Sequence, residues 1–218
     1  FASKFEVGGS FGDIYGQDFQ RDDQGRIMIS ADGIPLKNSE YTKLGNANPL
    51  WQMGWNNNLS YKKFSLSFLI DGKFNYDVLS VTQSVMDGYG VSKATGEARL
   101  AGSVSINGVD PQGNAVNTLD PQVWYTSTGG IGPVTSNYIY DGTVVRLREL
   151  TLGYDIPLKE GFIKNLKVSA VGRNLIYFYK KAPFDPEVTM STGNTLSGLD
   201  IFMMPAARSY GLTLNASF

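Results

Sequence analysis

Three groups of residues have side chains and spacings suited to chemistry. Asp185-Pro186-Glu187 sets two carboxylates on either side of a proline. Paired carboxylates do the acid and base work of glycoside hydrolysis when they flank one bond at a fixed separation. A proline between acids is also a turn former. Nothing else in the sequence completes a hydrolytic site around it, so a turn is the expected reading and an enzyme is not. The run "RDDQGRIMISADG" (21–33) collects Asp22, Asp23 and Asp32 near glycines. It lacks the alternating acid spacing and closing Glu of a calcium loop, so a solvated hairpin is expected and no metal is assigned. Tyr89, Trp124, Tyr125, Tyr138, Tyr140 and Phe184 lie in long polar stretches. Exposed aromatics there stack on sugars or form a partner surface, and buried ones pack the stretch against itself. With Asp185 and Glu187, these are the candidate substrate or partner residues.

The wider composition narrows the chemistry further. The 218 residues contain no histidine and no cysteine. Histidine triads, thiolate metal sites and disulfides are therefore excluded within them. No catalytic residue, metal ligand or cofactor-binding residue is assigned, and no cofactor is expected. The 19 basic and 20 acidic residues nearly cancel, which gives no basic excess for a nucleic-acid partner. The opening "FASKFEVGG" reads as mature sequence or as part of something longer. No run of about 18 apolar residues suggests a membrane helix.

What must position these residues is a set of strands. "WQMGWNNNLSY" (51–61) alternates with period two. Trp51, Met53, Trp55, Leu59 and Tyr61 share one face, and Gln52, Gly54, Asn56, Asn58 and Ser60 share the other. After Lys62-Lys63, "FSLSFLIDGKF" repeats the pattern, with Phe64, Leu66, Phe68, Ile70 and Phe74 on one side. Two such runs about a short polar link predict an antiparallel hairpin. Further strands are expected over "VVRLRELTLGYDIP", over "NLKVSAVGRNLIYFYKK" and over the closing "SYGLTLNASF". In the first of these the alternation breaks at Arg146 and Arg148, and a bulge near Glu149 is one account of the break. Residues 7–19 are a glycine-rich sixth candidate.

The connections alternate in length. Lys62-Lys63 and 157–165 are short, whereas 21–48, 75–142 and 182–207 are long. Short links at one sheet end and long links at the other are the asymmetry of an outer-membrane barrel. The alternative is a soluble β-sandwich, a carbohydrate-binding or adhesin module whose apolar faces form a core. Strand length favours lipid, since membrane strands need about 9–11 residues. Trp51 and Tyr61 span about 33 Å of strand, or roughly 23 Å when tilted by about 45°, which matches the band between aromatic girdles. Trp51, Trp55, Tyr61, Phe64 and Phe68 are the expected lipid-facing residues.

The ordered motifs "DGTVVRLRELTLGYDIP", "GRNLIYFYKKAPFDPE" and "RSYGLTLNASF" together resemble the C-terminal end of the SusC/RagA family of TonB-dependent outer-membrane transporters of the Bacteroidota. Arg146-Leu147, Leu150 to Tyr154, Pro157, Asn174-Leu175 and Asp185 to Glu187 match in order. The upstream 45–78 and 8–27 are similar to the family as well. The resemblance implies an all-β fold: an antiparallel transmembrane β-barrel of about 22 strands, with residues 1–218 supplying about six C-terminal strands and the long loops extracellular. The plug domain and the remaining strands would lie outside these residues. It further implies import of oligosaccharides (glycans) or peptides with a SusD-like surface lipoprotein, energised by TonB through the missing N-terminal part. The expected location is the bacterial outer membrane, with the C-terminus periplasmic and outer-membrane lipid around the wall. Tyr210, Gly211, Leu212, Leu214 and Phe218 fit the aromatic-terminated signal read by the barrel assembly machinery.

Overall fold

A computed structural model describes residues 6–158, 161–187 and 197–218. In chain order the first strands are β1 (Asp13–Gly16), β2 (Ile27–Met28), β3 (Thr42–Asn46), β4 (Trp51–Tyr61), β5 (Phe64–Phe74) and β6 (Asp77–Ser80). Then come helices α1 (Val81–Gly88) and α2 (Lys93–Ala101), strands β7 (Val104–Val109) and β8 (Ala115–Leu119), and helix α3 (Pro121–Thr128). Strands β9 (Ile139–Asp141), β10 (Val144–Ile156), β11 (Asn165–Lys180), β12 (Leu199–Asp200) and β13 (Ser209–Ser217) complete the described elements. They sort into two compact units, one of them a single sheet and the other a mixed α and β body.

The sheet unit comprises Pro49–Tyr76, Asp141–Pro186 and Met204–Phe218. Its five strands run in the order β13-β11-β10-β5-β4, and every neighbouring pair is antiparallel. They are 9 to 16 residues long, against about 5–6 in an ordinary globular strand. The predicted hairpin forms, with Tyr61 opposite Phe64 and only Lys62-Lys63 between them. Lys62 takes a positive φ of 56°, the cost of so tight a link without glycine. Both long connections, β5 to β10 and β11 to β13, leave from the same end of the sheet, because Lys73 pairs with Val144 and Arg173 with Ser209. The expected connections 157–165 and 182–207 lie partly outside the described residues.

The break in alternation on β10 is a bulge. Leu147 pairs with Ile70 and Glu149 with Leu69, so Arg148 is the extra residue. Against β11 the register shifts at the same place, but there Arg148 lies opposite two residues, Asn174 and Leu175, because Leu147 pairs with Ile176 and Glu149 with Arg173. Asn174, inside that β11 slip, has a φ of 53°. Without these bulges one half of β10 would present its leucines to the wrong face.

The expected sixth strand is corrected. Of residues 7–19 only β1 is extended, and it pairs with β3 rather than with the five-stranded sheet. Gly8, at a φ of 82°, precedes it in a turn. The glycines that weakened the alternation there also end it.

The mixed unit comprises the described residues of Phe1–Asn48, Asp77–Tyr140 and Glu187–Met203. The stretch 75–142, expected as a loop, is a folded body with three helices. Each helix begins on a side-chain cap: Ser80 accepts from Gln83 N–H, Ser92 from Thr95 N–H, and Asp120 from Gln122 and Val123 N–H. Pro121 follows Asp120 at the first helical position, where its missing N–H costs nothing. Strands β2, β7 and β8 form one small sheet, and β12, β6 and β9 another. One core gathers Ile14, Ala47, Leu79, Val81, Tyr138 and Leu199, and a second gathers Phe19, Ile27, Ile29, Trp124 and Val134.

Candidate functional site

The sheet unit has two chemically opposite faces, and its register makes each continuous. Tyr61, Phe64, Tyr154, Val168 and Leu214 form a row across all five strands. The next row on the same face is Leu59, Leu66, Leu152, Ala170 and Leu212, and Phe68, Leu150, Gly172 and Tyr210 belong to a third. Nearer the long-connection end lie Trp55, Ile70, Leu147 and Ile176. Many of these residues are open to the surroundings, including Trp51, Trp55, Leu59, Tyr61, Phe64, Leu152, Tyr210, Leu212 and Leu214. A soluble monomer rarely exposes an apolar patch so extended, and such a patch marks an interface with protein or lipid.

Aromatic pairs stand at both ends of that face. Trp51 stacks on Phe74 at 4.0 Å at the long-connection end. Phe64 packs on Tyr154 at 4.8 Å at the other. Between them Trp55 meets Phe68 edge-on at 5.4 Å. Phe218, just past β13, packs on Phe162 at 5.0 Å.

The opposite face is polar. Ser60, Ser65, Gly153, Ser169 and Thr213 make one row. A Cβ on Gly153 would lie 2.4 Å from Ser65 Oγ, which gives a packing reason for the glycine in "LTLGY". Closer to the long connections Gly54, Asp71, Arg146 and Tyr177 align. Arg146 Nε donates to Asp71 Oδ1 at 3.1 Å and Arg148 Nε to Asp71 Oδ2 at 2.7 Å. The bulge is what brings both arginines to one carboxylate. Arg173 Nε donates to Glu149 Oε2 at 3.0 Å.

Asp185 belongs to the same network. It is only 8% exposed and accepts from Ala206 N–H at 3.0 Å. Tyr177 is hydrogen-bonded to both Arg146 and Asp185, and Tyr76 OH reaches Pro186 O at 3.4 Å. The aspartate of "DPE" therefore ties a turn to the ends of β5, β10 and β11. Glu187 and Phe184 are half-buried. In the 21–33 run, Asp22 Oδ1 accepts from Gln24 and Arg26 N–H and closes a turn. Among the described residues no cluster of three potential metal ligands occurs.

The expected loop aromatics separate into two kinds. Trp124 stacks on Phe19 at 5.6 Å within one core, and Tyr138 is 1% exposed within the other, so neither presents a binding surface. Tyr140 packs against the core that holds Tyr138, and burial pushes its phenol up to about 12. Tyr89 is 73% exposed, and it lines a pocket of 380 Å³ together with Tyr125. Asp87, Gly90, Thr95, Arg99, Pro121 and Gln122 complete most of the lining. Sequence reasoning missed Arg99, because nothing in "KATGEARLA" reveals that it closes on Gly90.

Two curated proteins of Formosa agariphila are similar to the chain. TonB-dependent receptor P3 is 26% identical over 206 residues, covering 90% of the chain, and TonB-dependent receptor P26 is 26% identical over 210 residues, covering 87%. The chain spans 19% of the length of each. Among solved structures, the RagAB peptide importer in its closed-closed state superposes on 94% of the chain and 23% of its own, at a TM-score of 0.54 and 17% identity. No family model matches. The chain is thus similar in sequence to TonB-dependent receptors and in fold to part of an importer, neither of them named as an enzyme. The SusC/RagA likeness of the motifs pointed to this class.

Proposed function

We propose that this chain is part of the wall of a SusC-like, TonB-dependent importer in the bacterial outer membrane. The continuous exposed apolar face across five long strands carries the reading. Lipid is the partner that matches its height, its alternation and its terminal aromatics. The polar face, with its arginine and carboxylate network, lines the interior. Among the described residues, strands β4 and β13 each have one unpaired edge, which lipid does not tolerate. Further strands of a larger barrel, of about 22 in all, and a plug, all outside residues 1–218, complete the structure.

The long connections face the outside and the C-terminus the periplasm. Cargo, an oligosaccharide or a peptide, enters beneath a SusD-like surface lipoprotein, and TonB pulls on the plug. The curated relatives support TonB dependence, and the RagAB neighbour supports a peptide as one cargo class. The residues described here do no covalent chemistry in this scheme.

Two measurements test it. Carbonate washing of membranes must leave the protein in the pellet, and detergent must release it. Uptake of labelled oligosaccharide or peptide by intact cells must stop when a protonophore collapses the inner-membrane gradient. Release by carbonate alone would point instead to a soluble β-sandwich module.

A further inference from the structure

The pocket in the mixed unit has a composition that the wall-and-transport reading does not use. Three helices build it. The turn after α1 supplies Tyr89 and Gly90, α2 supplies Thr95 and Arg99, and α3 supplies Pro121, Gln122 and Tyr125. Helices α1 and α3 approach closely because Ser84 Oγ donates to Gly130 O at 2.6 Å and Gly130 N–H to Ser84 O at 2.8 Å. Gly88 makes that approach possible, since a Cβ there would lie 2.5 Å from Gly130 N. At 380 Å³ the pocket is near the lower bound of about 300 Å³ for small-ligand sites. It has room for one ring or one residue.

Its charges select the ligand. Asp87 is buried, and its Oδ1 accepts from Gln83 Nε2 at 2.7 Å, so that oxygen is turned toward its own helix. Arg99 is exposed in the last turn of α2, and its Nη1 donates to Gly90 O at 2.7 Å. That bond fixes the guanidinium at the pocket while its remaining N–H groups stay available. A guanidinium offers its donors as a planar fork that fits a carboxylate. Tyr89 and Tyr125 add flat aromatic surface, and Gln122 adds an amide. Burial first, and then the charges of Asp87 and Glu97, raise the Tyr125 phenol, which stays protonated and able to donate.

We propose that this pocket binds the carboxylate-bearing unit of a short oligomer, with the acid on Arg99 and the adjoining ring or side chain against Tyr89 and Tyr125. As a cargo subsite, the pocket rests on the importer reading. Two sources present this chemistry: a uronate in an acidic oligosaccharide, and the terminal residue of a peptide.

The test titrates the whole protein, purified in detergent, with two matched pairs of probes. One pair is a trigalacturonate and its fully methyl-esterified form. The other is a tripeptide ending in phenylalanine and its C-terminal amide. The expected result is an acid preference of about tenfold within at least one pair, the size of one lost charged hydrogen bond. Arg99→Gln should remove that preference without changing the affinity for the neutral member. Tyr89→Ala should weaken both members. Which pair responds identifies the source. Absence of any acid preference, or a preference that survives Arg99→Gln, overturns the proposal. Gradient-dependent uptake measured in the same strains separates the two readings. If uptake persists while no acid preference exists, the pocket proposal falls and the importer stands. If uptake never depends on the gradient, the importer reading falls, and the titration still reports directly on Arg99.

Discussion

The Asp71 carboxylate and the Arg146 guanidinium meet at 3.1 Å across the β5–β10 pair, with Arg146 only 2% exposed. Removing the Asp71 carboxylate takes a partner from buried Arg146 and from Arg148 together, and breaking a buried ion pair costs about 3–5 kcal/mol. Asp71→Leu should therefore lower the temperature at which the folded protein loses its heat-modifiable migration in a gel. The double variant Asp71→Leu with Arg146→Met should recover part of that loss. A double variant no more stable than Asp71→Leu alone would show that the pair is not coupled as the geometry implies.

Phe218 and Phe162 pack at 5.0 Å beside the closing strand. If Phe218 serves assembly, Phe218→Ala should reduce the amount of protein in the outer membrane several-fold. Uptake per assembled molecule should stay near that of the unaltered protein. Immunoblots of membrane fractions, normalised against uptake, separate the two effects.

Asp185 is buried and accepts from Ala206 N–H, which places it to hold a turn. Asp185→Ala removes the acceptor for Ala206 N–H and should cost about 1–3 kcal/mol of stability. Glu187→Ala tests the second carboxylate. Neither change should abolish hydrolysis of a glycan substrate, because none is expected from the unaltered protein. A glycosidase activity that vanished in either variant would return the carboxylate pair to the catalytic list.

Alkaline pH should loosen the mixed unit. Burial pushes the Tyr140 phenol up to about 12, with the Asp87 charge adding to it, and raises Tyr138 for the same reasons. A folded value above the unfolded one of about 10 means the folded state favours the protonated phenol. That contribution is complete below about pH 10 and is lost as pH rises toward 12. Absorbance near 295 nm should show a late tyrosine step, accompanied by loss of near-ultraviolet dichroism. An early step, complete near pH 10, would contradict this burial.

The strands of the large sheet were legible because period two is a local property. Each of 51–61, 64–74, 144–156, 165–180 and 209–217 carries its alternation in its own residues. The bulge at Arg148 was legible as a parity error, since two arginines fell in a leucine register. Residues 7–19 misled because alternation without length or β-branched residues does not choose a sheet, and β1 joins β3 instead. The helices of 81–128 went unread because they run only 8 to 9 residues, too short for a periodic signal. Their caps, Ser80, Ser92 and Asp120-Pro121, were the available sign. The burial of Trp124 and Tyr138 depends on Phe19 and Ile14, more than 100 positions earlier in the chain, and no local pattern carries that.

The central claim is that one face of the sheet meets lipid and the other meets water. Residues 1–218 contain no cysteine, so single cysteines can be placed in them and spin-labelled. Labels at Leu66, Leu152, Ala170 and Leu212 occupy one row of the apolar face, and labels at Ser60, Ser65, Ser169 and Thr213 one row of the polar face. In reconstituted bilayers, relaxation by oxygen, which concentrates in lipid, is compared with relaxation by a water-soluble nickel chelate. The account predicts oxygen-dominated relaxation throughout the first row and chelate-dominated or protected signals in the second. Chelate access along both rows, or protection from both reagents throughout the apolar row, would contradict it.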